Sequence, residues 1–235
     1  MPPKKLIGKV ISKVNLVGDI WVVRFSFEEK IELIPGQYIS LRVSPEGMRR
    51  SYSVAKVCGE NSIELLIDVF PMGVGSRYIL GLNLGDSVEI LGFLGNFVVD
   101  SQQLKGIERV LFIGTGSGIA PLKPMAENLI RSQNFSGETR LIWGMRNEES
   151  LYWLEEFEEL ASGDGNFKFD LVLSKPSDDW RGSRGHVGDV VATITDKLSN
   201  TLVYLCGSPE MINEMEEILE KNGVPGNQIF YEKYY

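Results

Sequence analysis

From about Gly106 onward the chain alternates short apolar runs with longer stretches of helical spacing, and few folds satisfy that alternation. "RVLFIG" leads into "IAPLKPMAENLIRSQ", "TRLIWG" into "SLYWLEEFEELA", "KFDLVLS" into "VGDVVATITDKL", and "TLVYLCG" into "PEMINEMEEILEKNG", before the chain closes on "NQIFYEKYY". Strands that each feed a helix pair in parallel and are covered by helices. The expectation for residues 103–235 is therefore a doubly wound parallel α/β domain. Its longest irregular piece is "SKPSDDWRGSRGH", and long loops inside compact domains are often functional.

Residues 6 to about 100 follow a different rule. "KVISKV", "IWVVRFSF", "QYISLRV", "RSYSVAKV", "SIELLIDV" and "DSVEILG" alternate apolar and polar residues or are rich in β-branched and aromatic ones. Turn residues in "IPGQ", "SPEG" and "CGENS" separate them. Short strands at this spacing predict an antiparallel barrel or sandwich over residues 1–102, interrupted by a short helix in "GVGSRYILGL". The boundary between the two halves falls near residues 100–107.

Charge and cysteine content narrow the function classes. A net charge of −8 argues against nucleic acid, which calls for clustered Lys and Arg. No stretch approaches the ~20 apolar residues of a membrane span, and "MPPKKLIGKVISKV" has no apolar core of a secretory signal. The two cysteines, Cys58 and Cys206, form no C-x-x-C pair, so no disulfide framework, zinc site or iron–sulfur cluster is expected. A reducing cytoplasm is the expected home.

"FIGTGSGIAP", residues 112–121, ends an apolar run and opens a helix. Gly114 and Gly116 match the start of a dinucleotide fingerprint, but Ile119 stands where its last glycine would be, and Gly118 comes one residue early. Glycines permit close backbone approach, Pro121 is tolerated in a first helical turn, and a helix start offers unpaired N–H groups. Together these suit a pyrophosphate. Ligands of doubly wound sheets sit at the carboxyl ends of the strands, and the neighbouring ends read "WGMR", "LSK" and "CGSP".

The first half holds a second candidate. In "RRSYSV" a period of two places Arg50, Tyr52 and Val54 on one side and Ser51 and Ser53 on the other. "PMGVGSRYI" offers Gly73, Gly75 and Ser76 at a helix start. A guanidinium aimed at a helix N-terminus is stable only with an anion between them, because both are positive. Two phosphate sites imply two nucleotides, or one nucleotide and a phosphorylated substrate.

These motifs carry a resemblance. "RSYS", "GVGS", "GFLGNF", "GTGSGIAP" and "CGSPEM", in that order, resemble the signature segments of the ferredoxin–NADP reductase superfamily. The nearest likeness is to the FAD/NAD(P)-binding reductase components of bacterial oxygenases and their stand-alone relatives. The likeness spans nearly the whole chain. It implies a six-stranded Greek-key barrel for FAD, followed by an NAD(P)-binding domain. It implies that Arg50 pairs with the FAD pyrophosphate, that Tyr52 packs on the flavin, and that Ser53 bonds near flavin N5, with Ser51 beside them. Backbone groups of Ile67, Asp68 and Val69 would contact the flavin nucleotide, and Gly73, Val74, Gly75 and Ser76 would wrap its diphosphate.

For the nicotinamide dinucleotide, NADH or NADPH, the resemblance implies Gly114, Thr115, Gly116, Gly118 and Pro121. Cys206 would lie by nicotinamide C4, framed by Gly207, Pro209 and Met211. A terminal aromatic, Tyr231, Tyr234 or Tyr235, would cover the far flavin face. Arg146, Ser174 and Lys175 are candidates for the adenosine end, alongside Arg181 and Arg184, while Asp178 and Asp179 dilute the positive charge. Ser53 and Cys206 are the expected catalytic pair, positioning the rings for hydride transfer rather than acting as bases. Two positions depart from the family's pattern. Phe93 replaces a usual proline, and Asp68 stands where Lys or Arg is common, which leaves FMN open beside FAD. The implied activity passes electrons to a protein acceptor such as ferredoxin or an oxygenase, any iron–sulfur relay lying on another chain. A flavin reductase and a non-catalytic electron-transfer subunit are the alternatives. His186 and Cys58 are read as structural.

Overall fold

The computed structural model describes residues 3–133, 135–163, 165–194 and 198–234. It separates into two units, Met1–Val98 and Val99–Tyr235.

In the first unit β1 (Lys4–Val17), β2 (Ile20–Ser26), β3 (Tyr38–Arg42), β4 (Arg49–Val57), β5 (Ser62–Asp68) and β6 (Ser87–Leu94) form a closed antiparallel barrel in the order β1-β2-β5-β4-β3-β6. The choice between barrel and sandwich is thus settled by the pairing of β1 with β6, which removes the exposed edges an open sheet would leave. The inward set comes from the period-two alternation: Val23 and Phe25 of β2, Ile39 and Leu41 of β3, Ile63, Leu65 and Ile67 of β5, and Val88 and Ile90 of β6 are all buried in one cluster. Each such side chain contributes about 1.5–3 kcal/mol on leaving water. Helix α1 (Val74–Gly81) adds Ile79 to the same cluster. The Lys13 ammonium donates to the carbonyls of Leu80 and Leu82 at 2.7 and 2.5 Å, a cation at the helix end where carbonyls lack partners.

The second unit alternates as its sequence requires. It contains β7 (Arg109–Thr115), α2 (Ile119–Arg131), β8 (Glu138–Met145), α3 (Leu154–Gly163), β9 (Phe167–Leu173), β10 (Ser183–Arg184), α4 (Val187–Ala192), β11 (Thr201–Gly207), α5 (Pro209–Lys221) and β12 (Ile229–Lys233). All neighbours in the order β10-β9-β8-β7-β11-β12 are parallel. On one face Leu111, Ile113, Ile142, Val203 and Leu205 pack with Val190 and Val191 of α4 and Ile212, Met215 and Leu219 of α5. On the other, Trp143 meets Phe157 of α3 at 5.7 Å between ring centroids, and Phe157 stacks on Phe169 at 4.8 Å. Every residue of β11 is buried, as befits a central parallel strand covered on both faces. The connection reverses direction between β7 and β11, so their carboxyl ends flank a topological switch point.

Two expectations need correction. The loop expected to be irregular contains β10, because Gly185 N–H returns to the Leu173 carbonyl at 2.9 Å and draws Ser183–Arg184 alongside β9. The helix expected across "VGDVVATITDKL" is helical only over Val187–Ala192. Part of the remainder, residues 195–197, lies outside the described residues.

Candidate functional site

Strand β7 ends at Thr115, and a short 3-10 turn, Gly116–Gly118, carries the chain into α2. The three glycines at this junction answer two different demands. Gly116 has φ +54, a left-handed conformation that favours glycine, and open space where a side chain would be. Gly118 has ordinary helical angles, φ −60 and ψ −11, but a Cβ there would lie 2.6 Å from the carbonyl carbon of Cys206 and closer still to its oxygen. At Gly114 a Cβ would come 2.8 Å from Leu122 and 3.3 Å from the Cys206 oxygen. Gly114 and Gly118 therefore let α2 settle against the end of β11, and Gly116 shapes the half-buried corner. No acidic residue stands in the first turn of α2, and Pro121 is buried within it.

The Gly116 carbonyl accepts from the Trp143 indole N–H at 3.0 Å and from the Tyr152 hydroxyl at 3.1 Å. Neither aromatic was a candidate in the sequence. The strand-end segment "WGMR" contained Trp143, but nothing in residue spacing says that an indole reaches back to the preceding strand's turn.

At the end of β11, Cys206 is buried between Gly114 of β7 and Glu232 of β12. Burial pushes its thiol well above the ordinary range, a nearby Glu232 carboxylate adds to this, and a bond with Tyr234 opposes it. A neutral, buried thiol is no nucleophile or base. Gly207 has φ +157, and a Cβ there would run into the Thr115 hydroxyl and lie 2.6 Å from Met211 Cε, so Thr115, Gly207 and Met211 are in one cluster. Pro209 opens α5, whose Ser208 cap accepts from Met211 N–H at 3.3 Å. Of the terminal aromatics, Tyr231 is 45% exposed and carries the Lys233 ammonium 4.9 Å from its ring centroid. Tyr234 donates its N–H to the Gly207 carbonyl at 2.9 Å. Tyr235 lies outside the described residues.

The carboxyl ends of β8 and β9 are drawn together by Ser174 N–H to Met145 O at 3.0 Å and Lys175 N–H to Arg146 O at 2.8 Å. Arg146, Ser174 and Lys175 are thereby neighbours, all exposed. Arg184, also exposed, uses its Nη2 to donate to the carbonyls of Ser177, Asp178 and Trp180 at 2.8–3.1 Å and so holds the loop's shape. His186 precedes α4 and donates its main-chain N–H to the Asp189 carboxylate at 2.7 Å.

In the first unit, β4 and α1 meet at Gly75. A Cβ on Gly75 would lie 3.0 Å from Arg50 Cγ and would strike the Tyr52 hydroxyl. Arg50 and Tyr52 thus share the face that the period-two reading gave them, and that face is turned to the start of α1. Burial raises the Tyr52 phenol to about 12, against a small opposing pull from Arg50, so the hydroxyl stays protonated. Gly73 is the N-cap, where a Cβ would meet the Pro71 carbonyl oxygen at an ordinary 3.8 Å; no side chain caps the helix, and its first turn contains no acid. Val74 and Ser76 lie in this turn, both half-buried. Ser53 is buried and pairs in register with Tyr38, while Ser51 is exposed.

Ile67 is buried in the core, and Val69 spends its N–H on the Asp19 carbonyl at 3.0 Å. Asp68 turns its carboxylate back to accept from Phe70 N–H at 2.9 Å. Burial holds its pKa above the ordinary carboxylate value, with that N–H bond pulling it down and the nearby Asp19 pushing it up. Phe93, the other departure from the family's pattern, packs edge-on against Phe27 with ring centroids 6.2 Å apart.

The chain is similar to known proteins. Residues 8–99 match the oxidoreductase FAD-binding domain and residues 112–217 the oxidoreductase NAD-binding domain. The propane 2-monooxygenase reductase component of Mycolicibacterium smegmatis is 32% identical over 212 residues, covering 87% of this chain and 60% of that protein. The phenol 2-monooxygenase reductase component of Pseudomonas sp. strain CF600 is 30% identical over 242 residues, covering all of this chain and 67% of that protein. A cytochrome P450 reductase of Amycolatopsis superposes with a TM-score of 0.89 at 30% identity, over 99% of this chain and 70% of that one. The chain belongs to the ferredoxin–NADP reductase superfamily. It spans about 60% of the length of the first of these relatives.

As a superfamily member the chain carries an FAD-binding and an NAD-binding domain. The residues present fit both nucleotides. An exposed guanidinium beside an acid-free helix start in the first unit has the chemistry to suit a diphosphate. A glycine corner at the switch point in the second has the room to suit one. Among the described residues no group of His, Cys, Asp and Glu could hold a metal ion, and no helix is long and apolar enough to cross a membrane.

Proposed function

We propose that this chain is an NAD(P)H-dependent flavoprotein reductase that delivers electrons to a separate redox protein, an oxygenase component or a ferredoxin. The observation that carries this reading is one anion cradle in each unit: Arg50 with Gly75 at the start of α1, and Gly116 at the switch point between β7 and β11. The FAD, when bound, supplies an acceptor for hydride and releases electrons singly or in a pair. Arg50, Gly73, Val74, Gly75 and Ser76 hold its diphosphate. Tyr52 and Ser53 orient the ring system, and Ser51 lies at the edge of the same strand. Ile67, Asp68 and Val69 offer main-chain contacts at the end of β5, with the Asp68 carboxylate turned away into its own turn. Gly114, Thr115, Gly116, Gly118 and Pro121 form the nicotinamide dinucleotide turn, and Gly207, Pro209 and Met211 shape the adjoining strand end. Cys206 acts as a neutral positioning group, which suits hydride transfer because no proton is removed. Arg146, Ser174 and Lys175 line the adenosine end. The two free cysteines fit a reducing compartment such as the cytoplasm.

The test is an anaerobic titration of FAD-reconstituted protein with NADH and, separately, with NADPH, following flavin absorbance. Bleaching by one of them, followed by recolouring on addition of an electron acceptor, is expected. A protein that binds FAD yet is bleached by neither refutes the reading.

A further inference from the structure

We infer that Trp143 and Tyr152 are positioning residues for the nicotinamide dinucleotide, acting through the single peptide group between Gly116 and Ser117. The inference rests on the assignment of that turn to a dinucleotide in the reading above. The Gly116 carbonyl is unusually well supplied with donors. It takes the Trp143 indole N–H, the Tyr152 hydroxyl and a share of the Ile119 backbone N–H. A carbonyl has two lone pairs, so the helix alone gives this oxygen a partner, and two buried side chains are spent on it besides.

The spending makes sense through the other end of the same peptide. Gly116–Ser117 is trans, so carbonyl and N–H point in opposite directions. Two donors on the buried side hold the oxygen inward and turn the Ser117 N–H outward, at the corner where Gly116 leaves open space. They also polarise the peptide, which strengthens that N–H as a donor. As in any helix, the first N–H groups have no partner within the helix. An anion placed there meets a donor already aimed, with no reorganisation on binding.

The support beneath the two aromatics is rigid. Trp143 is fully buried and meets Tyr152 at 4.9 Å between ring centroids in a T-shaped pair. Tyr152 meets Trp153 at 5.4 Å, and the buried Lys123 ammonium of α2 lies 5.2 Å from the Trp153 ring. Lys123 is itself paired with Glu127 of α2 and Glu156 of α3 at 2.9 and 2.8 Å. The turn is thus braced from β8, α2 and α3 together.

The experiment measures binding of ADP-ribose and of its 2′-phosphate by calorimetry, with KM and kcat for NADH and NADPH alongside. It uses wild type, Tyr152→Phe, Trp143→Phe and a stability control, Leu219→Ala in the α5 core. Tyr152→Phe removes one oxygen and keeps the ring. It is expected to weaken the ADP-ribose compound that wild type binds about threefold to tenfold, and to raise KM by the same factor at unchanged kcat. Trp143→Phe is expected to do the same, whereas Leu219→Ala lowers the melting temperature without moving either constant. Unchanged affinity in both aromatic variants overturns the inference, as does a loss matched by the control. A wild type that binds ADP-ribose but oxidises neither nucleotide sinks the proposed function and leaves this assignment to be judged on the binding data. Binding of neither probe sinks both.

Discussion

Gly118→Ala separates two physical effects of opposite sign. Its backbone angles, φ −60 and ψ −11, are right-handed helical, so propensity alone favours alanine by about 1 kcal/mol. Sterics oppose it. The new Cβ would sit 2.6 Å from the Cys206 carbonyl carbon, whereas ordinary contact begins at 3.4 Å, a shortfall of 0.8 Å. The obstacle is main chain in β11, hydrogen-bonded to β7 on one side and β12 on the other, so it cannot swing aside as a side chain would. Overpacking of this kind costs about 1–3 kcal/mol, and a backbone obstacle belongs at the upper end. The expected net loss is about 2 kcal/mol. Urea unfolding followed by tryptophan fluorescence is a suitable assay, because Trp143, Trp153 and Trp180 all report on the second unit. Gly163→Ala, at the end of α3 with open space around it, is the companion and should be neutral or slightly stabilising. The barrel's flavin affinity should not change, while the KM for NAD(P)H should rise as the end of β11 shifts. A Gly118→Ala protein as stable as wild type would show that the close approach of α2 to β11 is not what demands glycine here.

Other perturbations test other parts. Arg50→Ala should weaken FAD binding about tenfold to a hundredfold, the range for a charge-assisted bond, in a fluorescence titration of apoprotein. An unchanged Kd removes Arg50 from the diphosphate cradle. With a thiol reagent at pH 8, native Cys206 should react more slowly than Cys58, since it is fully buried and Cys58 half-buried, and burial raises both thiols. Rapid labelling of Cys206 would contradict its placement. Burial lowers the Lys123 ammonium, but Glu127 and Glu156 more than offset this and leave it above its ordinary 10.5. A raised folded-state value means its stabilising contribution is complete below the unfolded value and fades as pH climbs through the folded one. The stability gap between wild type and Lys123→Met should therefore be constant from about pH 7 to 10 and shrink only above about 10.5; a gap that closes below pH 9 would count against the pairing.

What the sequence made legible was whatever depends on neighbours along the chain. The six barrel strands follow from period-two alternation, and Arg50 and Tyr52 share a face for the same reason. The strand–helix alternation carries the second unit, and the positive φ of Gly116 agrees with glycine at a tight corner. What it hid depends on which strands become neighbours. Gly114 and Gly118 read as phosphate glycines, but their spacing is set by the Cys206 carbonyl, more than eighty residues later in the chain and adjacent only because β11 inserts beside β7. Nothing in the spacing of Arg184 says that three loop carbonyls gather at its Nη2. Lys123, inside an otherwise apolar helix face, gave no sign that two carboxylates and an indole would make its burial tolerable.

The same asymmetry explains why the glycine turn departs from the usual dinucleotide fingerprint. A glycine spacing is a record of two constraints at once, one from the ligand and one from the strand packed behind the helix. Of the three glycines only Gly116 faces open space, so only there does the packing behind the helix place no demand of its own. Gly118, one residue earlier than the fingerprint's last glycine, answers to β11. Ile119 can then replace the fingerprint glycine because it is buried in the helix's own packing rather than at the approach to the strand. If this division is right, Gly116→Ala and Gly118→Ala should fail differently. The first should cost about 1 kcal/mol or more in backbone strain, with weaker ADP-ribose binding as its main symptom. The second should lose folding stability first. Equal losses of stability with equal losses of affinity would merge the two roles and remove the argument.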